Sequence, residues 1–289
     1  MPRKDDPRAG RRGGAGQDRR ARANAERPAR AAAPASAGTQ VTYGIHAVRV
    51  LLQRSPQRVR QLWLSSSRDD AARLQELRAL ADAAGVVIAA AQDSDLDRLA
   101  AGERHQGVLA ELAPQAGDPE TVLEEALEAL GAAPPLLLVL DGVTDPHNLG
   151  ACLRSADAAG VAAVIVPRDR AAGLTPVVRK VAAGAAEVLP LVQVVNLART
   201  LRELKERGIW LVGTADDAAR TLYDVDLSGP TALVLGSEGE GMRRLTREAC
   251  DELVSIPMAG AVESLNVSVA TGVALFEAVR QRRARASAG

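Results

Sequence analysis

Aromatic residues are scarce in this chain of 289 residues, since two Trp, two Tyr and one Phe make up 2% of it. Hydrophobic residues nevertheless account for 47% of the sequence, which excludes a wholly disordered protein. The cores must therefore be built from Ala, Val and Leu. A surface that binds single-stranded nucleic acid cannot rely on aromatic stacking here.

Cysteine is also rare, and Cys152 and Cys250 are isolated. This argues against a disulfide framework and favours a reducing compartment, so we expect a cytoplasmic location. The chain lacks any run of about 18 apolar residues, which excludes a transmembrane helix, and we expect no membrane partner. It also lacks the apolar stretch of a secretory signal. His46, His105 and His147 lie far apart and no cluster has metal-ligand spacing, so we expect no metal ion.

The net charge of zero hides an asymmetry. Residues 1–40 hold ten Lys and Arg against four Asp and Glu, which leaves +6 on this arm and −6 on the remainder. The arm consists largely of Ala, Arg, Gly and Pro without apolar periodicity, so we predict that it is disordered. A basic arm suggests a polyanionic partner, although a solubilising tail without any partner accounts for the composition equally well.

Residues 41–113 alternate between short helices and strands, which predicts a small α/β domain. The predicted helices cover residues 45–53, 70–84 and 95–100, and the predicted strands cover residues 59–64, 86–88 and 107–112. Residues 114–135 contain four prolines and two glycines around a helical stretch at 120–130, which indicates a linker.

Residues 136–289 alternate strictly between apolar strands and helices, which is typical of an open parallel sheet covered by helices on both faces. The predicted strands cover residues 136–140, 162–166, 187–192, 209–213, 232–235 and 253–256. The predicted helices cover residues 148–159, 176–183, 197–207 and 242–250, followed by a terminal helix that begins at Ser264 or Asn266. That last helix carries almost no charge before Glu277, which predicts burial on all sides.

Ligands bind such sheets at the carboxyl ends of the strands, and three loops at these ends are candidates. The first, residues 141–154, includes Asn148, a good helix N-cap, and Gly150, which permits another backbone to approach closely. The second is the glycine-rich run 236–242, whose spacing matches neither dinucleotide-binding folds nor the phosphate-binding P-loop. The third, residues 256–270, joins the last strand to the terminal helix.

Together the three loops resemble the three sequence motifs of the SpoU/TrmH family of RNA ribose 2′-O-methyltransferases, in the SPOUT class. The matches are Asn148-Leu149-Gly150 with Arg154, the run Leu235 to Gly241, and Ile256-Pro257-Met258 with Ser264 to Ala270. The small domain is similar to the L30e-like substrate-binding domain of the RlmB-like branch, through Tyr43 to Val48 and His105-Gln106-Gly107.

The resemblance implies an L30e-like domain at residues 41–113 that binds RNA, and a SPOUT catalytic domain at residues 136–289 with a C-terminal trefoil knot. It implies S-adenosylmethionine as the methyl donor, without a metal ion, and a homodimer. The implied substrate is a guanosine of 23S ribosomal RNA in the peptidyl-transferase P-loop, presented by free RNA or by a large-subunit assembly particle.

The resemblance also implies two sets of site residues. Backbone groups of five residues would surround the cofactor: Thr214, Gly236, Ile256, Met258 and Leu265. Five others would serve catalysis: Asn148, Arg154, Glu238, Ser264 and Asn266.

Individual roles follow from their chemistry. Arg154 is assigned in the family to activate the 2′-hydroxyl, but a guanidinium stays charged, so we expect it to hold an RNA phosphate and stabilise the developing alkoxide. Asn148 and Asn266 could orient the ribose or join the loops. Ser264 could cap the terminal helix and contact the ribose or cofactor. Glu238 could accept backbone N–H groups or pair with Arg154.

Two other functions remain compatible with the sequence. The same chemistry could act on transfer RNA or on another ribosomal nucleotide, because a fold does not fix the substrate. A non-catalytic RNA-binding or ribosome-assembly protein could retain the same fold. The presence of all five candidate catalytic residues argues against that last alternative.

Overall fold

The computed structural model describes residues 40–67, 71–113 and 118–288. The predicted disordered arm therefore lies outside the described residues, apart from Gln40. The described chain forms a four-stranded and a seven-stranded sheet. None of the helices within these ranges combines the length and the apolar character needed to cross a bilayer.

The smaller sheet has the strand order β1-β4-β2-β3, in which β4 is antiparallel to β1 and β2 while β2 and β3 are parallel. Its elements are β1 (Val41–Tyr43), α1 (Ile45–Arg54), β2 (Val59–Ser65), α2 (Ala71–Ala83), β3 (Ile88–Ala91), α3 (Asp93–Leu99) and β4 (Val108–Leu112). The three predicted helices are confirmed. The strand predicted at residues 86–88 begins only at Ile88, and β1 was not predicted.

The larger sheet has the order β7-β6-β5-β10-β8-β11-β9, and every pairing in it is parallel, which confirms the predicted open parallel sheet. Its elements are α4 (Pro119–Glu128), β5 (Leu136–Asp141), α5 (Pro146–Ala159), β6 (Ala163–Pro167), α6 (Pro176–Ala182), α7 (Ala185–Val188), β7 (Leu191–Val194), α8 (Leu197–Glu206), β8 (Trp210–Thr214), β9 (Arg220–Thr221), β10 (Thr231–Gly236), α9 (Arg244–Ala249), β11 (Glu252–Ser255) and α10 (Val267–Ala288).

Strand β5 shows why the buried strands are continuous apolar runs. All six of its residues are buried. Leu138 and Leu140 belong to the core that includes residues of α5 and α10, whereas Leu137 and Val139 belong to the core that includes α8. Since successive side chains of a strand point to opposite faces, a strand covered on both sides needs an apolar residue at every position.

The strand predicted at residues 187–192 is wrong in its first half. Ala183 and Gly184 adopt left-handed conformations, with φ of 51° and 97°, and they turn the chain from α6 into α7. Glu187 lies in α7, where its buried carboxylate pairs with Arg179 at 2.6 Å. Strand β7 begins only at Leu191. The apolar run after Glu187 resembles a strand, but the Glu187 carboxylate is paired through its Oε1 with Arg179 of the neighbouring helix.

The terminal helix α10 is buried on one face only, which contradicts the prediction of burial on all sides. Thr271, Ala274 and Leu275 are fully buried, and α10 packs against α5. Val269 and Phe276, in contrast, are each 50% exposed. The low charge of this helix therefore reflects one core face and one solvent-facing apolar face.

Cys152 is a buried thiol and Cys250 is partly buried, and this burial predicts a low reactivity for both thiols. Burial raises the pKa of Cys152 to about 11 and that of Cys250 to about 12. Because these pKa values exceed those in the unfolded chain, the free energy of unfolding should fall as pH rises from 9 towards 12. Iodoacetamide near pH 8 should label the folded protein far more slowly than the urea-unfolded chain. Equal labelling rates would contradict the assignment.

Candidate active site

The three candidate loops meet at one edge of the larger sheet. Strands β5, β10, β8 and β11 are neighbours, so the loops at their carboxyl ends lie side by side. A cavity of about 470 Å³ opens there, lined among others by residues 214–217, 235–242, 254–256 and 263–265 and by Met258. All five predicted cofactor-binding residues line it, as do Glu238 and Ser264. Asn148, Arg154 and Asn266 do not line the cavity.

The glycine-rich loop after β10 is a tight turn. Ser237 and Gly241 exchange two backbone hydrogen bonds, of 3.1 and 3.0 Å. A Cβ atom on Gly236 would lie 2.0 Å from the carbonyl carbon of Gly241 and 2.2 Å from the nitrogen of Met242. Since both are backbone atoms, this loop conformation requires glycine at position 236.

One carboxylate oxygen joins the three loops. Glu238 Oε1 accepts hydrogen bonds from Asn148 Nδ2 at 3.1 Å, from the backbone N–H of Val267 at 3.3 Å, and from Asn266 Nδ2. Asn266 Nδ2 also donates to Asn148 Oδ1 at 3.0 Å. Of the two contacts considered for Glu238 from the sequence, the structure therefore contains the one to a backbone N–H.

Asn266, and not Ser264, caps the terminal helix. Asn266 Oδ1 accepts from the backbone N–H of Ser268 at 2.9 Å, and the first residue of α10 is Val267. The cap satisfies one of the N–H groups that a helix N-terminus leaves free. Ser264 remains in the loop that lines the cavity.

Arg154 stands apart from this network. It lies on α5 six residues after Asn148, which corresponds to about 9 Å along the helix axis. Its side chain is exposed. Within the part of the chain that the structure describes, it forms no hydrogen bond or ion pair. It is therefore available to an anion from solution.

A buried ion pair that the sequence did not reveal supports the glycine-rich loop. Asp141, at the end of β5, is fully buried and pairs with Arg243, which follows the loop. Asp141 Oδ1 accepts from Arg243 Nε at 2.6 Å, and Oδ2 accepts from the backbone N–H of Arg243 at 2.9 Å. An Asp that ends a fully apolar strand needs such a partner. This position of Asp141 is the one signal in the sequence that could have indicated the ion pair.

Removing the Asp141 carboxylate should destabilise the fold, because it leaves the loop after β10 without its anchor. We expect Asp141→Ala to lower the free energy of unfolding by about 3 kcal/mol, measured by urea denaturation. Glu248→Ala is the matched control, since it removes an exposed pair with Arg244 within α9 and should have little effect. Equal losses in both variants would contradict the buried role of Asp141.

The lining of the cavity is acidic. Asp216, Asp217, Glu238, Glu240 and Glu263 line it against a single cation, Arg247. Arg247 is bound to both carboxylate oxygens of Asp217 at 2.8 Å. The cavity therefore suits a ligand with positive charge. Among the described residues no group of three or more His, Cys, Asp or Glu is placed to hold a metal ion.

Comparisons with known proteins agree with this geometry. Residues 135–276 match the family model of the SpoU rRNA Methylase family, and residues 41–116 match the model for RNA 2′-O ribose methyltransferase substrate binding. Curated relatives include the 23S rRNA (guanosine-2′-O-)-methyltransferase RlmB of Pseudomonas putida, 60% identical over 84% of this chain and 97% of the relative. RlmB of Escherichia coli is 57% identical over 84% of this chain and 99% of its own.

Solved structures are similar as well. The SpoU methyltransferase AviRb from Streptomyces viridochromogenes, solved in complex with the cofactor AdoMet, superposes with a TM-score of 0.70 at 29% identity. The match covers 86% of this chain and 91% of AviRb.

The parallel sheet, the loop-lined cavity and the accompanying substrate-binding domain define an RNA ribose 2′-O-methyltransferase. The chain belongs to the SpoU rRNA methylase family.

Proposed function

We propose that this protein transfers a methyl group from S-adenosylmethionine to the ribose 2′-hydroxyl of a guanosine in 23S ribosomal RNA. The observation that carries the proposal is the meeting of the three motif loops at Glu238, beside an acidic cavity that the second and third loops line. The guanosine substrate is supported by the RlmB relatives, which cover most of the chain. Within 23S ribosomal RNA, we propose the peptidyl-transferase P-loop.

The lining of the cavity suits S-adenosylmethionine in its chemistry and in its charge. The backbone groups of Thr214, Gly236, Ile256, Met258 and Leu265 would hold the adenosyl part, because their side chains are small or apolar and leave the main chain free. The acidic lining suits the sulfonium and ammonium groups. When bound, the cofactor supplies an electrophilic methyl group on its sulfonium sulfur.

The chain's own contribution is orientation and charge stabilisation. Asn148 and Asn266, fixed by Glu238, hold the ribose at the rim of the cavity. Arg154 holds an RNA phosphate and stabilises negative charge that develops on the ribose oxygen. Of these side chains only the Glu238 carboxylate can take up the proton that the hydroxyl releases, because amides and a guanidinium cannot.

The decisive experiment compares ribose methylation across cellular RNA with and without this protein. We expect one guanosine of 23S ribosomal RNA to lose its 2′-O-methyl group when the protein is absent, and to regain it with purified protein and S-adenosylmethionine. Loss of a methyl group from transfer RNA instead would support the second candidate substrate. An unchanged pattern of ribose methylation would refute the proposal.

We further propose that the protein is a cytoplasmic homodimer whose C-terminal segment forms a trefoil knot. The half-exposed apolar residues of α10 support the dimer, because Val269, Phe276 and the exposed Val262 nearby in sequence would otherwise face water. The hydrogen bonds that Glu238 accepts from Asn266 and Val267 support the knot, because they hold α10 against the loop after β10.

A further inference from the structure

A second cavity, of about 260 Å³, lies where the domain of the smaller sheet meets α6 and α7. Its walls are the turn from β1 into α1, the loop before β4, and the stretch from Arg179 to Glu187. Two of these walls carry the sequence motifs Tyr43 to Val48 and His105-Gln106-Gly107. The methyl-transfer site described above uses neither motif.

The N-terminus of α1 presents free backbone donors to this cavity. Ile45 N–H donates to Gln106 Oε1 at 3.0 Å, and Val48 N–H donates to the carbonyl of Gly44 at 3.1 Å. The N–H groups of His46 and Ala47 have no acceptor in the described ranges, and both residues line the cavity. The first turn of a ten-residue helix, with unpaired N–H groups and a positive dipole end, favours an anion.

Buried hydroxyl groups provide independent evidence for a ligand. Thr42 is only 2% exposed and lines the cavity, and its Oγ1 has no hydrogen-bond partner among the residues that the structure describes. The hydroxyl of Tyr43, next in the chain, is also buried and unpaired. A buried hydroxyl without a partner destabilises the fold, and a ligand oxygen that accepts its hydrogen bond would remove that destabilisation.

The charges around the cavity leave one cation free. Arg179 is paired with Glu187 at 2.6 Å, and Lys180 lies 3.4 Å from Glu103. Arg104 is exposed and forms no ion pair within the described residues. The ligand should therefore be a compact anion with several acceptor oxygens, which describes a phosphate group.

His105, in the motif His105-Gln106-Gly107, holds the loop that forms one wall of this cavity. His105 is 2% exposed, and its Nδ1 accepts from the backbone N–H of Gly107 at 3.1 Å. Its Nε2 therefore carries the proton and donates to Asp97 at 2.9 Å. The ring thus fixes the loop that presents Arg104 and Gln106.

We propose that this cavity binds a phosphodiester of the substrate RNA, away from the nucleotide that is methylated. The inference rests on the proposed function, because it takes RNA as the substrate. Thr42 and Arg104 lie in the region that matches the substrate-binding family model, whereas Lys180 lies in the methylase region. A phosphate held here contacts both regions and sets the distance from this anchor to the ribose.

The test uses the full chain, a 23S ribosomal RNA fragment containing the methylated guanosine, two variants of the cavity and one control variant. Arg104→Ala should weaken RNA binding about 10-fold and reduce the slope of log K against log salt by about 0.7 to 0.9. Thr42→Val, an isosteric change, should weaken RNA binding about five-fold and leave the slope unchanged. Arg78→Ala, which removes an exposed charge on α2 outside the cavity, should have little effect.

Four measurements distinguish the outcomes: S-adenosylmethionine binding, RNA affinity, thermal stability and inorganic phosphate binding. S-adenosylmethionine binding should be unchanged in all variants, and its absence from the wild-type protein would instead refute the proposed function. Equal losses of RNA affinity in Arg104→Ala and Arg78→Ala would reduce the effect to diffuse charge and overturn the inference. A Thr42→Val protein with higher thermal stability and unchanged RNA affinity would do the same. Inorganic phosphate that binds as tightly as the RNA fragment would also overturn the inference.

Discussion

Gly236→Ala should weaken cofactor binding about 100-fold and lower methyl transfer with it. The added Cβ would overlap two backbone atoms of the same turn, Gly241 C and Met242 N, so the loop must move as a unit. Displacing a packed backbone costs about 3 kcal/mol, which corresponds to a loss of about 100-fold in affinity for S-adenosylmethionine. Isothermal titration calorimetry measures this loss directly.

Gly260→Ala is the matched control for that experiment. Gly260 lies in the loop between β11 and α10, and a Cβ atom there would meet no atom within 4 Å. Its affinity for the cofactor should equal that of the wild-type protein. Circular dichroism of Gly236→Ala should show an intact fold, because the displaced turn lies beyond the carboxyl end of β10 and outside the sheet. Wild-type affinity in Gly236→Ala would mean that this loop does not hold the cofactor.

Arg154→Ala should lower the rate of methyl transfer by about 10³-fold while leaving both the fold and cofactor affinity unchanged. The rate falls because a group that stabilises developing charge is removed. The fold is unaffected because the side chain is exposed and, in the described chain, unpaired. Cofactor affinity persists because Arg154 does not line the cavity. Single-turnover methylation and calorimetry separate these effects.

Two further variants define what Arg154 supplies. Arg202→Ala removes an equal charge from the exposed face of α8 and should retain full activity. Arg154→Lys keeps the charge but loses the planar pair of donors, so activity should recover only in part. Full activity in Arg154→Ala would refute the assigned role.

The course of the larger sheet could be predicted because its strands obey a local rule. A strand with both faces covered must be apolar throughout, as Leu136 to Leu140 illustrates, and that pattern is visible in the sequence. The strand predicted from Glu187 failed because a left-handed pair, Ala183 and Gly184, redirects the chain. Nothing in the identity of Ala183 signals this conformation, which is uncommon for residues other than glycine.

The candidate site, like the fold, could be predicted from the sequence only in part. Its residues could be selected from the sequence because each motif is contiguous, and the structure brings the cofactor-binding set to one cavity. The contacts between the site residues could not be predicted, because Glu238 is 90 residues from Asn148 and 28 residues from Asn266 in the sequence. The pairing of Asp141 with Arg243 spans 102 residues. Such pairs depend on strand order, and the order β5-β10-β8-β11 does not follow the order of the sequence.

The bonds that converge on Glu238 Oε1 have a consequence for biosynthesis. One comes from Asn148 in the middle of the chain, and two come from Asn266 and Val267, which begin the last helix. During translation the sheet and the glycine-rich loop are made well before that helix leaves the ribosome. The nascent protein therefore cannot assemble its site before Asn266 and Val267 have left the ribosome, so an enzyme that acts on ribosomal RNA stays inactive while its own ribosome is making the preceding residues.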